Sequence, residues 1–257
     1  MNPPANFEDH FSAAAKTYAA FRPTYPAELY NYLAGVAPDR LLAWDCGTGN
    51  GQAAVALAVH FQRVVATDAS HEQIEHAAAH DRVEYRVEPA EKVSLKSGSV
   101  SLVTVAVAVH WFDFEAFYAE VKRVLRPGGV LAVWTYHLPS VTPSVDPILY
   151  NYFADILSGY WPERIRYLDE RYRTLPFPFN EISAPELSMV SGWNLNRLAG
   201  FLHSWSATRR YIDENGSHPV ELIWKELETV WGPAELERTI TWPLHMRIGL
   251  SDGAMHS

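Results

Sequence analysis

The stretch LLAWDCGTGNG, residues 41–51, decides the fold of this 257-residue chain. Its first four residues are apolar, as in a short buried strand. The glycines that follow allow a backbone turn that residues with a Cβ rarely adopt. The alanine-rich segment from Gln52 to Val59 then returns as a helix. A strand, a glycine turn and a helix in this order predict an α/β unit with a ligand-binding loop at the carboxyl end of the strand.

Strands and helices keep alternating after this unit. A helix led by Pro26 precedes it, Ser70 and Gln73 form a capping box for another helix, and Asp113 is the N-cap of a third. Further strands are predicted in residues 63–68, 83–87, 100–109 and 130–136. This order predicts a Rossmann-like, mostly parallel sheet of seven strands with helices on both faces.

The second half of the chain has a different composition. Prolines interrupt aromatic-rich segments from residue 139 to about residue 193, which predicts an irregular, partly helical insertion over the sheet edge. Helices near 195–204 and 219–231 and a closing strand at 238–250 follow. We therefore predict one domain with four parts: an N-terminal helical lid (1–36), a cofactor-binding core (37–138), an insertion that caps the substrate (139–233), and a closing strand with a tail (234–257).

The composition excludes several classes of partner. The formal net charge is -9 and Lys and Arg form no run, so nucleic acid is not an expected partner. A lone cysteine cannot close an internal disulfide or provide a thiol cluster for a metal, which favours a reducing compartment. We find no signal sequence and no apolar window of about 20 residues. We expect a cytoplasmic protein without a metal or a membrane partner, of open oligomeric state.

Two carboxylates point to the ligand. Asp45, two positions before the first glycine, would repel a pyrophosphate but suits a cationic amino group. Gln52 stands where a dinucleotide site would have its third glycine. Asp68 closes the second strand, where a carboxylate can accept both ribose hydroxyls, since Ser70 already provides the helix cap. An adenosine carrying an amino-acid group is favoured; a NAD(P)-dependent oxidoreductase and a non-catalytic cofactor-binding protein are the alternatives.

The chain resembles the class I S-adenosylmethionine-dependent methyltransferase superfamily over nearly its whole length. It is similar above all to the branch of small-molecule enzymes that includes trans-aconitate methyltransferase. The matching pieces are FSAAAKTYAAFRPTYP (11–26), LAWDCGTGNGQ (42–52), VVATDAS (64–70), VEPAEKV (87–93), AVAVHWFD (106–113), EVKRVLRPGGVLAVW (120–134) and FLHSWSATRRY (201–211).

The resemblance implies S-adenosylmethionine as cofactor and S-adenosylhomocysteine as product. By this resemblance, residues of the chain would surround the methionyl group, the ribose, the adenine and the sulfonium. An N-terminal segment would close over the cofactor. The implied cofactor-binding residues are Tyr18, Arg22, Asp45, Gly47, Thr48, Gly49, Gln52, Asp68, Ala69, Ala90, Glu91 and Ala106.

The resemblance also implies a small-molecule acceptor, with O-methylation of a carboxylate as one form of the reaction. Methyl transfer from a sulfonium chiefly requires alignment and exclusion of water. The candidate catalytic residues are His110 and Trp111; His110 could accept a proton from a hydroxyl or amine. A carboxylate acceptor needs no base and would need cationic anchors, for which Arg171 and Arg173 are further candidates. The candidate substrate-binding residues are Trp134, Trp205, Arg209 and Arg210, with core packing as the alternative for Trp134.

Three further positions, Ser101, Val107 and Cys46, have expectations of their own. Members of the family often have Asp where Ser101 stands and a polar residue where Val107 stands. The first difference is expected to alter local packing, and the second puts in doubt a polar contact with the cofactor or the acceptor. Cys46 is interpreted as a small buried side chain rather than a nucleophile.

Overall fold

The structure is a computed structural model, and it describes residues 22–251. Contacts divide the chain into two compact units. Among the described residues, the first unit comprises residues 22–23, 138–165 and 189–242, and the second comprises residues 24–137, 166–188 and 243–251. The single domain with four parts stays a prediction.

Within residues 22–251, one sheet of eight strands organises the fold, in the order β3-β2-β1-β4-β5-β8-β6, with β7 pairing β8. Strands β3, β2, β1, β4 and β5 run parallel, and β8 is antiparallel to both β5 and β6. The strands are β1 (Leu42–Cys46), β2 (Arg63–Asp68), β3 (Val83–Val87), β4 (Val100–Ala106), β5 (Leu125–Tyr136), β6 (Asn180–Ile182), β7 (Leu187–Trp193) and β8 (Arg238–Leu250).

The Rossmann-like, mostly parallel sheet is confirmed. The predicted number of seven strands is wrong, because the Pro-rich insertion contributes β6 and β7 to the sheet. The strand predicted over residues 100–109 ends at Ala106 because Val107 has a φ of 52°, which breaks the extended backbone.

Helices flank the strands in the second unit: α1 (Ala27–Val36), α2 (Gln52–Leu57), α3 (His71–Glu75), α4 (Phe114–Val124) and α6 (Arg166–Asp169). The first unit contains α5 (Asp146–Asn151), α7 (Leu195–His203), α8 (Ser206–Asn215) and α9 (Glu221–Trp231). Helix α3, which follows the predicted cap at Ser70, ends at Glu75. Helix α8 was not predicted, because its sequence is polar and it buries only Ala207 and Thr208. Every helix in residues 22–251 is too short or too polar to cross a lipid bilayer.

The core of the second unit forms where α4 packs on the sheet. Asp113 caps the helix by accepting a hydrogen bond from the backbone nitrogen of Ala116 at 3.1 Å, as its sequence predicts. Phe117 and Val121 are fully buried in the same apolar cluster as Trp44 of β1. This packing positions the carboxyl ends of β1, β2 and β4, where the site residues lie.

The first unit has an aromatic core of its own. Trp193 and Trp242 pack with ring centroids 4.6 Å apart. Phe201 packs against Trp205 at 5.6 Å, and Trp205 packs against Trp161 at 5.6 Å. Much of the aromatic surplus in the second half of the chain therefore serves packing within this unit.

Candidate functional site

The glycine loop after β1 has three glycines with positive φ: 65° at Gly47, 55° at Gly49 and 84° at Gly51. A Cβ at Gly47 would lie 2.7 Å from the Cβ of Ala108, and one at Gly51 would overlap the Tyr85 hydroxyl. A Cβ at Gly49 would approach only the side-chain oxygen of Gln73, at 3.7 Å, within the described chain. Gly47 and Gly51 are thus required by protein packing, whereas a Cβ at Gly49 would make only an ordinary contact with Gln73.

Asp68 at the end of β2 holds this loop. One carboxylate oxygen accepts from the backbone nitrogen of Gly49 at 2.9 Å, and the other accepts from that of Ser70 at 2.9 Å. The backbone nitrogen of Thr48 donates to the Thr67 carbonyl at 2.9 Å, which ties the loop to β2. A carboxylate has about four lone-pair sites. Half-buried Asp68 can therefore accept further hydrogen bonds from a ligand beside Gly49.

Asp45 organises the loop from within. Its side chain is buried and accepts hydrogen bonds from the hydroxyls of Thr48, at 2.5 Å, and Thr104, at 2.7 Å. Burial, with a smaller contribution from the negative charge of Asp68, raises the pKa of Asp45 to about 6, against the opposing effect of the hydroxyl hydrogen bonds. The sequence predicted a direct role toward a cationic ligand group; the geometry shows a carboxylate that shapes the loop and adds negative charge beneath it.

Most of the other implied cofactor residues lie at strand ends, in turns or at a helix start of the second unit. Ala90 is buried, and Glu91 accepts a hydrogen bond from the backbone nitrogen of Asp113 at 3.0 Å. Ala69 is exposed after β2, and Gln52 begins α2. Ala106 ends β4, in register with Trp134 of β5. Tyr18 lies outside the described residues, and Arg22 belongs to the first unit.

The chain after β4 departs from regular geometry. Val107 has a φ of 52°, an outlier for a β-branched residue, and its backbone nitrogen donates to the Trp134 carbonyl at 2.9 Å. A single 3₁₀ turn, Val109–Trp111, follows. His110 is buried at 2% exposure, whereas Trp111 is 49% exposed and its ring centroid lies 4.7 Å from that of His110.

Tyr172 is a site residue that sequence reasoning missed. It is fully buried, and its hydroxyl oxygen lies 2.9 Å from Nδ1 of His110. Burial raises the pKa of Tyr172 well above 10, so the hydroxyl keeps its proton. The sequence carried no signal for this contact, because the two residues are 62 positions apart and Tyr172 stands in a polar segment between Arg171 and Arg173.

Trp134 and the other candidate substrate-binding residues are in different units. Trp134 is fully buried in the second unit, and Tyr25 packs edge-on against it at 5.4 Å. Its indole nitrogen has no hydrogen-bond partner among residues 22–251. Trp205 belongs to the aromatic core of the first unit, and Arg209 and Arg210 are exposed on α8 of that unit.

The structure also gives a physical explanation for Ser101 and Cys46. Ser101 is buried and donates to Asp39 at 2.5 Å, so this departure from the family changes a packing contact at the base of β4. Cys46 is buried, and burial raises the pKa of its thiol well above 9. Both observations agree with the predicted structural roles.

Comparisons with known proteins point in one direction. A family model described as a methyltransferase domain matches residues 44–133. A Dictyostelium discoideum protein assigned as a methyltransferase is 36% identical over 251 residues, covering 95% of this chain and 95% of its own. A Saccharomyces cerevisiae protein assigned as an S-adenosylmethionine-dependent methyltransferase is 26% identical, covering 79% of this chain and 82% of its own. A solved structure from Anaeromyxobacter dehalogenans, assigned as a type II methyltransferase, is 42% identical with a TM-score of 0.85, covering 90% of this chain and 99% of that chain.

Proposed function

Because the chain belongs to the class I S-adenosylmethionine-dependent methyltransferases, we propose that this enzyme transfers the methyl group of S-adenosylmethionine to a small molecule. The observation that carries the proposal is the glycine loop held by Asp68, with its backbone nitrogen at Gly49 only 2.9 Å from the carboxylate. Membership of the trans-aconitate branch stays a prediction.

The loop fits the cofactor in shape and in charge. A Cβ at Gly49 would come no closer than 3.7 Å to a described atom, the side-chain oxygen of Gln73, so the protein leaves room for a ligand at this glycine. Asp68 has lone pairs left for ribose hydroxyls. The buried carboxylate of Asp45 favours positive charge near the loop, which both the amino group and the sulfonium would supply. Ala90 and Glu91 would lie along the adenine.

When bound, the cofactor supplies a methyl group on a positively charged sulfur; the acceptor atom forms a bond to that carbon as the carbon–sulfur bond breaks, and a neutral thioether leaves. The task of this chain is to align the acceptor and exclude water. The irregular backbone at Val107 and the buried ring of His110 shape the end of β4 for that task.

The acceptor we propose is a small carboxylate, methylated on oxygen. The unpartnered indole N–H of Trp134 is a donor only, so it suits an oxygen of the acceptor or of the cofactor. The guanidinium groups of Arg171 and Arg173 also act near this end of β5: after burial, which is the largest cause, their positive charges help to lower the pKa of His245, a residue in register with Thr135. These features support an anionic ligand.

Titration calorimetry tests the cofactor. We expect one S-adenosylmethionine or S-adenosylhomocysteine per chain, and a loss of affinity of about 10- to 100-fold in Asp68→Ala, from hydrogen bonds to a charged group. Asp81→Ala, which removes an exposed carboxylate of the same unit, is the matched control and should bind as the wild type does. Undiminished affinity in Asp68→Ala would overturn the ribose assignment, and tighter binding of a nicotinamide dinucleotide would favour an oxidoreductase.

A screen of carboxylic acids, phenols, alcohols and amines tests the acceptor. Release of S-adenosylhomocysteine should occur with at least one carboxylic acid. Turnover of phenols or amines alone would contradict the carboxylate assignment. Cofactor binding without turnover of any acceptor would instead favour a non-catalytic protein with this fold.

A further inference from the structure

Two partly buried histidines of the first unit are joined by a short hydrogen bond. Nδ1 of His203, the last residue of α7, lies 2.7 Å from Nε2 of His218, in the turn before α9. The ring planes are 22° apart and the ring centroids 5.0 Å apart, which is as far as this N···N distance and the two ring radii allow. The bond therefore lies on the line that joins the two rings, as an N–H···N hydrogen bond requires.

A backbone donor fixes which ring nitrogens carry protons. The other nitrogen of His218, Nδ1, accepts a hydrogen bond from the backbone nitrogen of Val220 at 3.2 Å, and a backbone N–H can only donate. The neutral ring of His218 therefore has its proton on Nε2, and it donates this proton to Nδ1 of His203. Neutral His203 then carries its own proton on Nε2.

The two hydrogen bonds together leave no place for a third proton on the pair. A further proton must go to Nδ1 of His203, where it faces the N–H of His218, or to Nδ1 of His218, where it faces the N–H of Val220. Either position breaks one of the two bonds, whatever else the rings contact. On His218 the added charge would also lie at the N-terminus of α9, where the helix dipole opposes a positive charge.

The surroundings of the pair favour the same neutral state. Burial is the largest cause that lowers the pKa of His218, to about 4, and the charge of His203 lowers it further. Burial also lowers the pKa of His203, together with the positive charge of Arg209 on α8. A histidine in water titrates near pH 6.5. Between pH 4 and pH 6.5 the separated rings therefore take up protons, whereas the hydrogen-bonded pair stays neutral.

The hydrogen bond between the rings closes a loop of chain that contains the whole of α8. This helix buries only Ala207 and Thr208, both in its first turn. At its other end Asn215 donates to the hydroxyl of Tyr160 at 2.8 Å, in an exposed bond. Elements with few buried contacts open at a low free energy. The bond between the histidines therefore matters for α8, because it ties the turn after this helix to the end of α7.

We propose that His203 and His218 form an acid-sensitive latch, in which protonation of the pair breaks its hydrogen bonds and releases α8 and the following turn from α7. The closed state has its full advantage above about pH 6.5 and loses it as the pH falls toward 4, because only the open state binds protons in this interval. Helix α8 carries Arg209 and Arg210, so acid loosens the segment that is predicted to contact the substrate. The latch goes beyond the proposed function and does not depend on it.

Hydrogen–deuterium exchange of the full chain at pH 7 and pH 5, corrected for the intrinsic exchange rates, measures the opening. If one proton is taken up on opening, the opening constant of residues 206–220 should rise about 20-fold between these pH values. In His203→Ala these residues should exchange fast already at pH 7, and the acid-induced rise should nearly disappear. The absence of a rise in the wild type, or an equal rise in His203→Ala, would overturn the latch.

Two further variants separate the bond between the rings from other effects. His203→Asn keeps an acceptor oxygen close to the position of Nδ1, so it should restore slow exchange of residues 206–220 at pH 7. His80→Ala is the matched control, because Nδ1 of His80 accepts from the backbone nitrogen of Arg82 at 3.1 Å, the same local bond in the second unit. It should leave the exchange of residues 206–220 and its pH dependence unchanged. Exchange in His203→Asn as fast as in His203→Ala would contradict the role of the hydrogen bond.

Nuclear magnetic resonance of protein labelled with 15N-histidine tests the proton positions directly. At pH 7 both His203 and His218 should show the two-bond 1H–15N pattern of a neutral Nε2–H ring, assigned by loss of each signal in His203→Asn and His218→Asn. Both rings should titrate clearly below pH 6.5. An Nδ1–H ring for His218, or titration of both rings near pH 6.5 while α8 stays protected from exchange, would overturn the proposal. Neither measurement uses a cofactor or an acceptor, so failure of the proposed function would leave these results unaffected.

Discussion

At the scale of single residues, the buried carboxylate of Asp45 carries an electrostatic cost. Its environment raises the pKa to about 6, chiefly through burial, from a value near 3.8. Between these two pH values the folded chain holds a proton that the unfolded chain has lost. The group therefore favours the folded state below about pH 4 and loses that contribution as the pH rises through 6. A charge kept at such a cost beside a proposed cationic ligand indicates a functional use.

The variant Asp45→Asn measures the electrostatic cost of the buried carboxylate. Because Asn does not titrate, the stability of the variant relative to the wild type should be about 2 kcal/mol more favourable at pH 7.5 than at pH 4.5. Urea unfolding of the ligand-free proteins at the two pH values measures the change, and any constant effect of the substitution on hydrogen bonding cancels in the comparison. A relative stability that does not vary with pH would contradict the raised pKa of Asp45.

At the scale of elements, the glycine loop contains glycines whose surroundings differ. A Cβ at Gly49 would meet only Gln73, at an ordinary contact distance of 3.7 Å, whereas a Cβ at Gly51 would overlap the hydroxyl of Tyr85. Gly98 provides a reference, since it has a φ of 63° and a Cβ added there would have no neighbour within 4 Å in the described chain. Any substitution there reports the cost of the left-handed backbone alone.

Alanine at each of these three glycines should therefore have a distinct effect. Gly98→Ala and Gly49→Ala should each cost about 1–2 kcal/mol of stability, but only Gly49→Ala should weaken cofactor binding, because its methyl group enters the ligand space. Gly51→Ala should destabilise by about 1–3 kcal/mol more, as Tyr85 must shift. Chemical unfolding and calorimetry on the three variants provide the measurements. Equal binding by Gly49→Ala and Gly98→Ala would show that the ligand does not occupy the space beside Gly49.

Elements with a strong local pattern were predicted well, and the rest were decided by tertiary structure. The helix after Asp113 has both an N-cap and an apolar stripe, and α4 begins at the predicted position. The closing strand at residues 238–250 matches β8. Helix α8 lacks an apolar stripe, and β6 has only three residues, so neither had a periodic signal. The break at Val107 results from a local backbone conformation that residue type does not reveal.

At the scale of the whole molecule, the candidate site was predictable only where it depends on neighbouring strand ends. The carboxyl ends of β1 and β2 adjoin in any sheet of this topology, so the approach of Asp68 to the glycine loop follows from the strand order. The contact between Tyr172 and His110 depends instead on the path of the insertion, which no sequence pattern specified. Trp205, Arg209 and Arg210 lie in the first unit, and their contact with the substrate stays a prediction.

Thermal unfolding provides the test at this scale, because a ligand that binds only the folded state stabilises it by mass action. S-adenosylhomocysteine at about 100 times its Kd should add about 2.7 kcal/mol. For a chain of this size that corresponds to a rise in Tm of about 5–10 °C. The glycine loop, Asp68, Ala90 and Glu91 belong to the second unit, so if the units unfold in separate transitions the shift should appear in the transition of that unit. Asp68→Ala at the same ligand concentration should show a much smaller rise, and a nicotinamide dinucleotide should produce none. An equal shift in Asp68→Ala would place the ligand away from the carboxyl ends of β1 and β2.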